Sequence, residues 1–131
     1  MIIKRSIDIE EEVRLALKDY LTVYCRPLPA KFSTPCITPT STGGQTSNEI
    51  DRFQVVLDSR AKTDEDALNY LRTAQGILEK RAEEQFGALR HVEFTNLLSW
   101  GTDAVRPDLK LCRVTAMITV HRESYEIQEE S

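Results

Sequence analysis

The sequence predicts a single α+β domain in which two helices pack on one face of a four-stranded, mostly antiparallel sheet. Two segments repeat apolar residues at helical spacing, and four segments carry the alternation or apolar content of strands. The length of 131 residues is that of one domain. The segments follow the order helix, strand, strand, helix, strand, strand, and one sheet face would bury the apolar stripe of both helices.

The first helix is predicted over residues 9 to about 23, after an N-terminal arm of about eight residues. Asp8 and Glu11 are spaced as in a capping box. Apolar residues then recur at helical spacing from Val13 onwards. The prolines of "CRPLP" impose an extended connection after it, because proline fixes φ and has no amide donor.

The next two strands are predicted to form a hairpin with a long loop at residues 40–48. "FSTPCITPT" is typical of an edge strand, since its prolines cannot donate to a ladder. "IDRFQVVLDSRA" places Phe53, Val55 and Leu57 on one face. The Gly-Gly loop between them is neither a Walker loop, which needs a lysine after its glycines, nor a Rossmann turn, which needs a helix after it. It is either a mobile loop or one that orders against a partner.

The second helix is the longest predicted element. Thr63 and Asp66 form another capping-box-like start, and Gly87 is expected to end the helix. Its first turn is acidic and its last turn basic, as the helix dipole favours. The predicted buried stripe consists of Ala67, Leu68, Leu71, Ala74, Ile77, Leu78 and Ala82.

The last two strands are predicted in "HVEFTNLLS" and "LKLCRVTAMITVHRE", followed by a flexible acidic tail at about 124–131. "NLLSW" falls out of register, so the third strand is expected to bend or bulge there. Leu97, Leu98 and Trp100 are predicted in the core or at its edge. The alternative is an exposed apolar patch that oligomerisation covers. The sheet face away from the helices is predicted to be polar and to carry Arg52, Gln54, Thr115, Thr119 and His121.

Composition disfavours several function classes. The formal net charge is −4, from 17 Lys and Arg against 21 Asp and Glu, with no dense basic cluster for DNA. No apolar run reaches the ~20 residues of a membrane span, and the start lacks a secretory signal pattern. The three cysteines lack C-x-x-C spacing, and Cys112 is expected to be buried. The sequence therefore predicts a cytosolic product without a metal site, and no activated nucleophile is evident in it.

The element order, the hairpin "TSTGGQTSN" and the "RPD…R" approach to the last strand resemble the tail terminator proteins of long-tailed bacteriophages. Related neck and tail-completion proteins share these features, and the resemblance covers most of the chain. It implies a homohexameric ring that caps the tail tube, stops its elongation and joins tail to head. It also implies that the protein is not an enzyme and has no cofactor. The implied partners are other copies of the chain, the major tail tube protein and a head-completion (stopper) protein. The implied location is the virion neck, assembled in the bacterial cytoplasm, with DNA passing through unbound.

Two sets of contact residues are predicted for such a ring. The resemblance implies that the hairpin loop faces the channel or the tube, through Thr42, Gly43, Gly44, Gln45 and Thr46. The candidate interface between subunits is Arg72, Lys80, Leu97, Leu98, Trp100 and Arg113. The helix charges among these are also typical of a solvated face.

Two alternatives remain open at this stage. One is a head-completion, stopper or other neck role in the same connector. The other is a small cytosolic enzyme or ligand-binding α+β domain. That second alternative predicts a concave pocket with converging polar groups. Its residues would be His91, Asp108 and His121.

Overall fold

The computed structural model describes residues 1–104 and 106–129. Its elements, in chain order, are β1 (Ile2–Arg5), α1 (Ile9–Leu17), β2 (Cys36–Thr46), β3 (Ile50–Ala61), α2 (Asp64–Glu83), β4 (Leu89–Phe94), β5 (Ser99–Thr102), β6 (Lys110–His121) and β7 (Glu123–Glu126). The α+β class is confirmed. The strand count of four is wrong, because the described residues form seven strands in two sheets.

The main sheet has the order β2-β3-β6-β4, and all its strand pairs are antiparallel. The short strand β5 also pairs with β6, along the same edge as β4. β4 covers residues 116–120 of β6, and β5 covers residues 110–113. One edge of the sheet is therefore made by two short strands in succession, with residues 95–98 between them.

The two ends of the chain pair with each other. β1 and β7 form a separate antiparallel sheet of two strands, called here the terminal ribbon. The segments predicted as an N-terminal arm and an acidic tail thus lie side by side. Each strand has only four residues, too few for an alternation pattern to stand out in the sequence. Residues 130 and 131, the end of the predicted tail, lie outside the described residues.

Both predicted helix starts are confirmed. The carboxylate of Asp8 accepts a hydrogen bond from the amide of Glu11 at 3.2 Å, and the hydroxyl of Thr63 accepts one from the amide of Asp66 at 3.2 Å. The prediction that Gly87 ends α2 is wrong. α2 ends at Glu83, and the left-handed residue after its cap is Gln85, with a φ of 54° and an amide that donates to the carbonyl of Ala82 at 3.0 Å.

The predicted end of α1 near residue 23 is wrong. α1 ends at Leu17, and Val23 instead forms a parallel bridge with Ile37. The amide of Tyr24 donates to the carbonyl of Ile37 at 3.0 Å, and the amide of Ile37 donates to the carbonyl of Thr22 at 2.9 Å. The segment at residues 22–24 thus pairs with the edge of β2 instead of forming the last turn and a half of the predicted helix. The helical spacing of apolar residues nevertheless continues through this segment.

The core lies between the helices and one face of the main sheet. Buried side chains there include Val13 and Leu17 of α1, Leu71 and Leu78 of α2, and Val114 of β6. Of the predicted α2 stripe, Leu68 and Ile77 are only half-buried. The prediction that Cys112 is buried is confirmed. Within the described residues, neither helix has the length and hydropathy of a transmembrane span.

The predicted hairpin loop at residues 40–48 is wrong, because β2 continues to Thr46 and leaves residues 47–49 as the turn. The register shifts between Ser41 and Gly43, as in a β-bulge. Gly44 has a φ of 149°, and a Cβ built on it would lie 1.9 Å from the carbonyl oxygen of Arg52. The glycines thus serve a bulge and a close strand approach rather than a loop.

Candidate assembly surfaces

The prediction of one strand through "HVEFTNLLS" is wrong, because β4 ends at Phe94 and β5 begins at Ser99. Between them residues 95–98 bulge from the sheet edge, as predicted for "NLLSW". One backbone and one side-chain hydrogen bond hold this bulge in place. The amide of Thr95 donates to the carbonyl of Thr115 at 3.0 Å. The amide of Thr115 then donates to the Asn96 side-chain oxygen at 3.0 Å, where a neighbouring strand would offer a backbone carbonyl. The chain leaves the sheet edge at this point, and Leu97 protrudes with 90% of its surface exposed.

Four apolar residues gather at this position and are called here the edge patch: Phe94, Leu97, Leu98 and Trp100. Trp100 is 53% exposed, while Phe94 and Leu98 are half-buried. A depression of about 420 Å³ separates the patch from Gln75 of α2. The prediction that Leu97 belongs to the core is wrong, and Trp100 lies at the exposed rim. The alternative of an exposed apolar patch describes this edge better, and such patches commonly mark interaction sites.

A second surface lies where the chain leaves α1 and passes the outer side of α2. A groove of about 470 Å³, called here the helix groove, is lined by Tyr20, Thr73, Gly76, Ile77, Lys80, Arg81 and Glu84. Tyr20 is 69% exposed. A Cβ built on Gly76 would meet no atom within 4 Å, so the floor of the groove is open at this residue.

Arg81 fixes one wall of the helix groove. Its Nε donates to the carbonyl of Ala16 at 3.2 Å, tying α2 to α1. Its guanidinium carbon lies 4.4 Å from the ring centroid of Phe86 and 5.7 Å from that of Tyr20, within the range of cation–π contacts. The groove was not predicted from the sequence. The available signal was Gly76, a helix-destabilising residue in the middle of a long helix.

The edge patch and the helix groove lie on opposite flanks of α2. Gln75 borders the depression beside the edge patch. Thr73, Gly76 and Lys80 border the groove, and their spacing places them together on one side of the helix. α1 packs on the groove side, and β4 packs on the other. One subunit therefore presents a protrusion in one direction and a concavity in another.

The six predicted interface residues fall into three separate places. Leu97, Leu98 and Trp100 share the edge patch. Arg72 and Lys80 are both exposed on α2, but only Lys80 borders the groove. Arg113 pairs through its backbone with Ser99, beside the edge patch, but Asp58 holds its side chain on the sheet face away from the helices.

That open face carries arginines that are paired with carboxylates. Arg113 donates to both oxygens of the buried Asp58, at 2.6 and 3.2 Å. The hydrogen bond with Asp58 raises the pKa of the Arg113 guanidinium. The Nε of Arg60 donates to Asp103 at 2.6 Å. These two charges are matched locally and so attract phosphate little, while Arg52 is exposed on the same face.

The hairpin end and the terminal ribbon are joined by Arg122. Its guanidinium donates to the carbonyls of Ser47 at 3.3 Å, Asn48 at 3.4 Å and Lys4 at 3.1 Å. Its Nε lies 4.0 Å from a carboxylate oxygen of the buried Asp51. The predicted tube-facing residues Thr42, Gly43, Gly44, Gln45 and Thr46 are all exposed on β2 next to this junction.

The residues of the enzyme alternative do not converge. His91 is exposed on β4, and His121 is exposed at the end of β6. Asp108 precedes the other end of β6, about 40 Å away from His121 at the ~3.3 Å rise of an extended residue. Asp108 pairs instead with Arg106 at 2.9 Å, and this hydrogen bond lowers its carboxyl pKa. In the described part of the chain, no three His, Cys, Asp or Glu residues are placed to hold a metal ion.

The cysteines show no activation. All three are free, and burial raises the pKa of the Cys36 thiol to about 11. Burial and the nearby carboxylates of Glu11 and Glu10 raise the pKa of Cys25 as well. A nucleophilic cysteine needs the opposite shift, because the thiolate is the reactive form.

No protein-family model matches the chain. A comparison with curated proteins likewise finds no significant match.

Proposed function

We propose that this protein is a ring-forming structural subunit that serves as the tail terminator of a long-tailed bacteriophage. The observation that carries the proposal is the pair of unlike surfaces on opposite flanks of α2. A contact between two unlike surfaces is heterologous, and repeating it generates a ring when the rotation closes. A ring of this kind is what a tube cap requires.

The resemblance supplies the specific role. The proposed ring is a hexamer that sits on the end of the tail tube, prevents further addition of tube protein and presents its other side to the head-completion protein. It works as a surface for assembly and carries no reactive centre or cofactor. Its place is the virion neck, and its assembly takes place in the bacterial cytoplasm.

The charge arrangement supports a channel through which DNA passes. Binding to a phosphate backbone depends on Lys and Arg that are free to neutralise it. Here the net charge is −4, and arginines of the open face such as Arg60 and Arg113 are held by carboxylates. A channel lined by arginines that are paired with carboxylates in this way would have low affinity for the phosphate backbone of the DNA.

The hairpin end supports a contact with the tube. The exposed strand residues Thr42–Thr46 lie beside the terminal ribbon, and Arg122 connects the two. Exposed apolar side chains lie along the ribbon and beside the hairpin turn: Met1, Ile2, Ile50, Tyr125 and Ile127. The register places Ile2 and Tyr125 on opposite faces of the ribbon. Exposed apolar side chains of this kind are available for contact with another protein.

A tube-elongation experiment tests the role. The tail tube protein of the same genome is polymerised with and without this protein, and tube lengths are measured by negative-stain microscopy. We expect shorter tubes that carry a ring at one end. Glu79→Ala, on the exposed side of α2 and outside both surfaces, is the matched control and should act like the parent. Unchanged tube lengths without terminal rings would contradict the proposal, and binding to heads alone would indicate the head-completion role.

A further inference from the structure

We propose that neighbouring subunits join into one continuous sheet, with β4 of one copy adding as a strand to the outer edge of β2 of the next. The occupant of each edge is thus a second copy of this chain. This inference rests on the proposed ring function and deepens it, because it names the two strands that meet. The pairing is antiparallel, and it places Gly44 opposite Phe94 and Thr46 opposite Val92.

The register shows which backbone groups of β2 face outward. In an antiparallel pair, residues alternate between bonding to the partner strand and pointing away from it. The amide of Ser47 donates to the carbonyl of Ile50 at 2.9 Å, so Gln45, two residues earlier, also bonds to β3. The amides and carbonyls of Gly44 and Thr46 therefore point away from β3.

Before the bulge in β2, every outward amide of the strand is used or missing. The amide of Ile37 donates to the segment at residues 22–24. Pro39 has no amide to donate. The amide of Ser41 donates to the carboxylate of Glu10 at 3.0 Å. An edge protected in this way does not pair with other chains.

After the bulge, this protection ends. None of the described residues forms a hydrogen bond with the backbone of Gly44 or Thr46 on the outer side. Residues 42–46 also lack proline and charged side chains, which commonly guard an edge. This part of the edge is therefore open to another strand.

The outer edge of β4 offers the matching groups. The amide of Thr95 donates to the carbonyl of Thr115, so Glu93, two residues earlier, also bonds to β6. The amides and carbonyls of Val92 and Phe94 therefore point away from β6. In the part of the chain that the structure describes, nothing bonds to them on that side.

The two open edges are regular over the same length. In the proposed pairing, the turn after Thr46 lies opposite the register shift at the start of β4. At the other end, the bulge before Gly44 lies opposite the bulge at residues 95–98. Each strand thus interrupts the ladder where its partner does.

The strand directions suit a head-to-tail contact. β2 and β4 are the first and last strands of a four-strand path in which every pair is antiparallel, so they run in opposite directions. A neighbour in the same orientation can therefore add antiparallel and keep its helices on the same side of the sheet. Repeating such a contact between unlike edges generates a ring when the rotation closes.

The side chains on the helix side of the sheet are complementary. Phe94 is half-buried in the single subunit and would lie opposite Gly44, which has no side chain. A depression of about 220 Å³ borders Gly44 and Phe53 there. The neighbour's Phe94 ring can occupy this space and pack against Phe53, as aromatic pairs on adjacent strands do.

The charges on the open side of the sheet are complementary as well. Glu93 is exposed and would lie opposite Gln45. Arg52 follows on the next strand, beside Gln45 in the register. It is exposed and forms no ion pair within the described residues. Pairing the two subunits brings this acid and this free base into one row across the sheet, which favours the contact.

Hydrogen exchange at single-amide resolution tests the contact over a concentration series. We expect the four outward amides, two on each strand, to exchange about 10-fold more slowly in the ring than in the dilute subunit. Gln45 and Glu93 are internal controls. Their amides bond within the subunit and should exchange slowly at every concentration.

Thr46→Pro removes one of the outward amides, and Thr46→Ala is its matched control. Both variants lose the hydrogen bond from the Thr46 hydroxyl to Asp51, but only the proline variant loses the amide. Because this amide has no partner within the described subunit, proline is tolerated at this edge position. We expect Thr46→Pro to weaken self-association about 3- to 10-fold relative to Thr46→Ala in sedimentation velocity, the effect of one backbone hydrogen bond.

The results separate this contact from the ring function. If the parent forms rings while the four outward amides exchange at the same rate at every concentration, the sheet contact is wrong and the ring function stands. Equal self-association of the Thr46→Pro and Thr46→Ala variants would also contradict the contact. If the parent is monomeric at all concentrations, both proposals are wrong.

Discussion

The paired strand at Gly44 leads to a specific stability prediction for Gly44→Ala. A Cβ at this position would lie 1.9 Å from the carbonyl oxygen of Arg52, and the φ of 149° is one that residues with a side chain rarely adopt. The backbone conformation alone costs about 1–3 kcal/mol. To relieve the clash, the two hairpin strands must separate and lose one or two hydrogen bonds. This loss costs roughly 1–2 kcal/mol in addition. The total is about 2–5 kcal/mol.

Gly43→Ala is the matched control for this prediction. Gly43 also has a positive φ, 127°, but a Cβ built there meets no atom within 4 Å. The Gly43→Ala variant should therefore lose only the part of the unfolding free energy that comes from the unfavourable backbone conformation. We expect the urea midpoint of Gly44→Ala to fall below that of Gly43→Ala by about 1 M, given a slope of ~1–3 kcal/mol per M. Equal midpoints for the two variants would refute the close approach of β2 and β3.

Three further predictions concern other parts of the molecule. The hydrogen bond from Arg26 lowers the pKa of Glu10. The pair therefore stabilises the fold above the ordinary carboxyl pKa near 4.5, and this stabilisation is lost as the pH falls and Glu10 is protonated. Glu10→Gln should flatten the fall in unfolding free energy between about pH 5 and 3, measured by urea titrations. The Cys36 thiol, buried and with a pKa of about 11, should resist Ellman's reagent at pH 8 until the protein unfolds. Arg122→Ala should speed hydrogen exchange in β1 and β7 while leaving β3 protected, and equal exchange in parent and variant would contradict the role of Arg122 as the connector.

The sequence predicted the elements whose determinants are local. α2 follows from a capping threonine, an acidic first turn and a repeating apolar stripe, all within one stretch of chain. The alternation in β3 and β6 is long enough to specify both strands and the face that each one buries. These features require no knowledge of what the segments pack against.

The features that depend on distant partners could not be predicted. α1 stops early because residues 22–24 pair with Ile37, which lies beyond a proline-rich connection. The terminal ribbon exists because the two chain ends meet, and Gly44 is in a strand because Arg52 passes close to it. Glycine pairs are more common in loops than in bulges, so local propensity favoured a hairpin loop at residues 40–48, which was wrong.

The candidate assembly surfaces also combine features with local determinants and features that depend on distant partners. The bulge at "NLLSW" was visible as a break in alternation, but the side chain of Asn96 that holds it became apparent only in the folded chain. The helix groove has residues from α2 and from the segment after α1, so no contiguous pattern marks it. Arg113 was predicted in the interface as part of the polar sheet face, and its ion pair with Asp58 holds its side chain on that face.

The molecular mass of the purified protein in solution tests the central claim most directly. Sedimentation equilibrium across a hundredfold range of concentration should show a species of six chains that dissociates on dilution, and negative-stain images should show rings. A single-chain mass throughout that range, with the edge patch and the helix groove both open to solvent, would contradict the account.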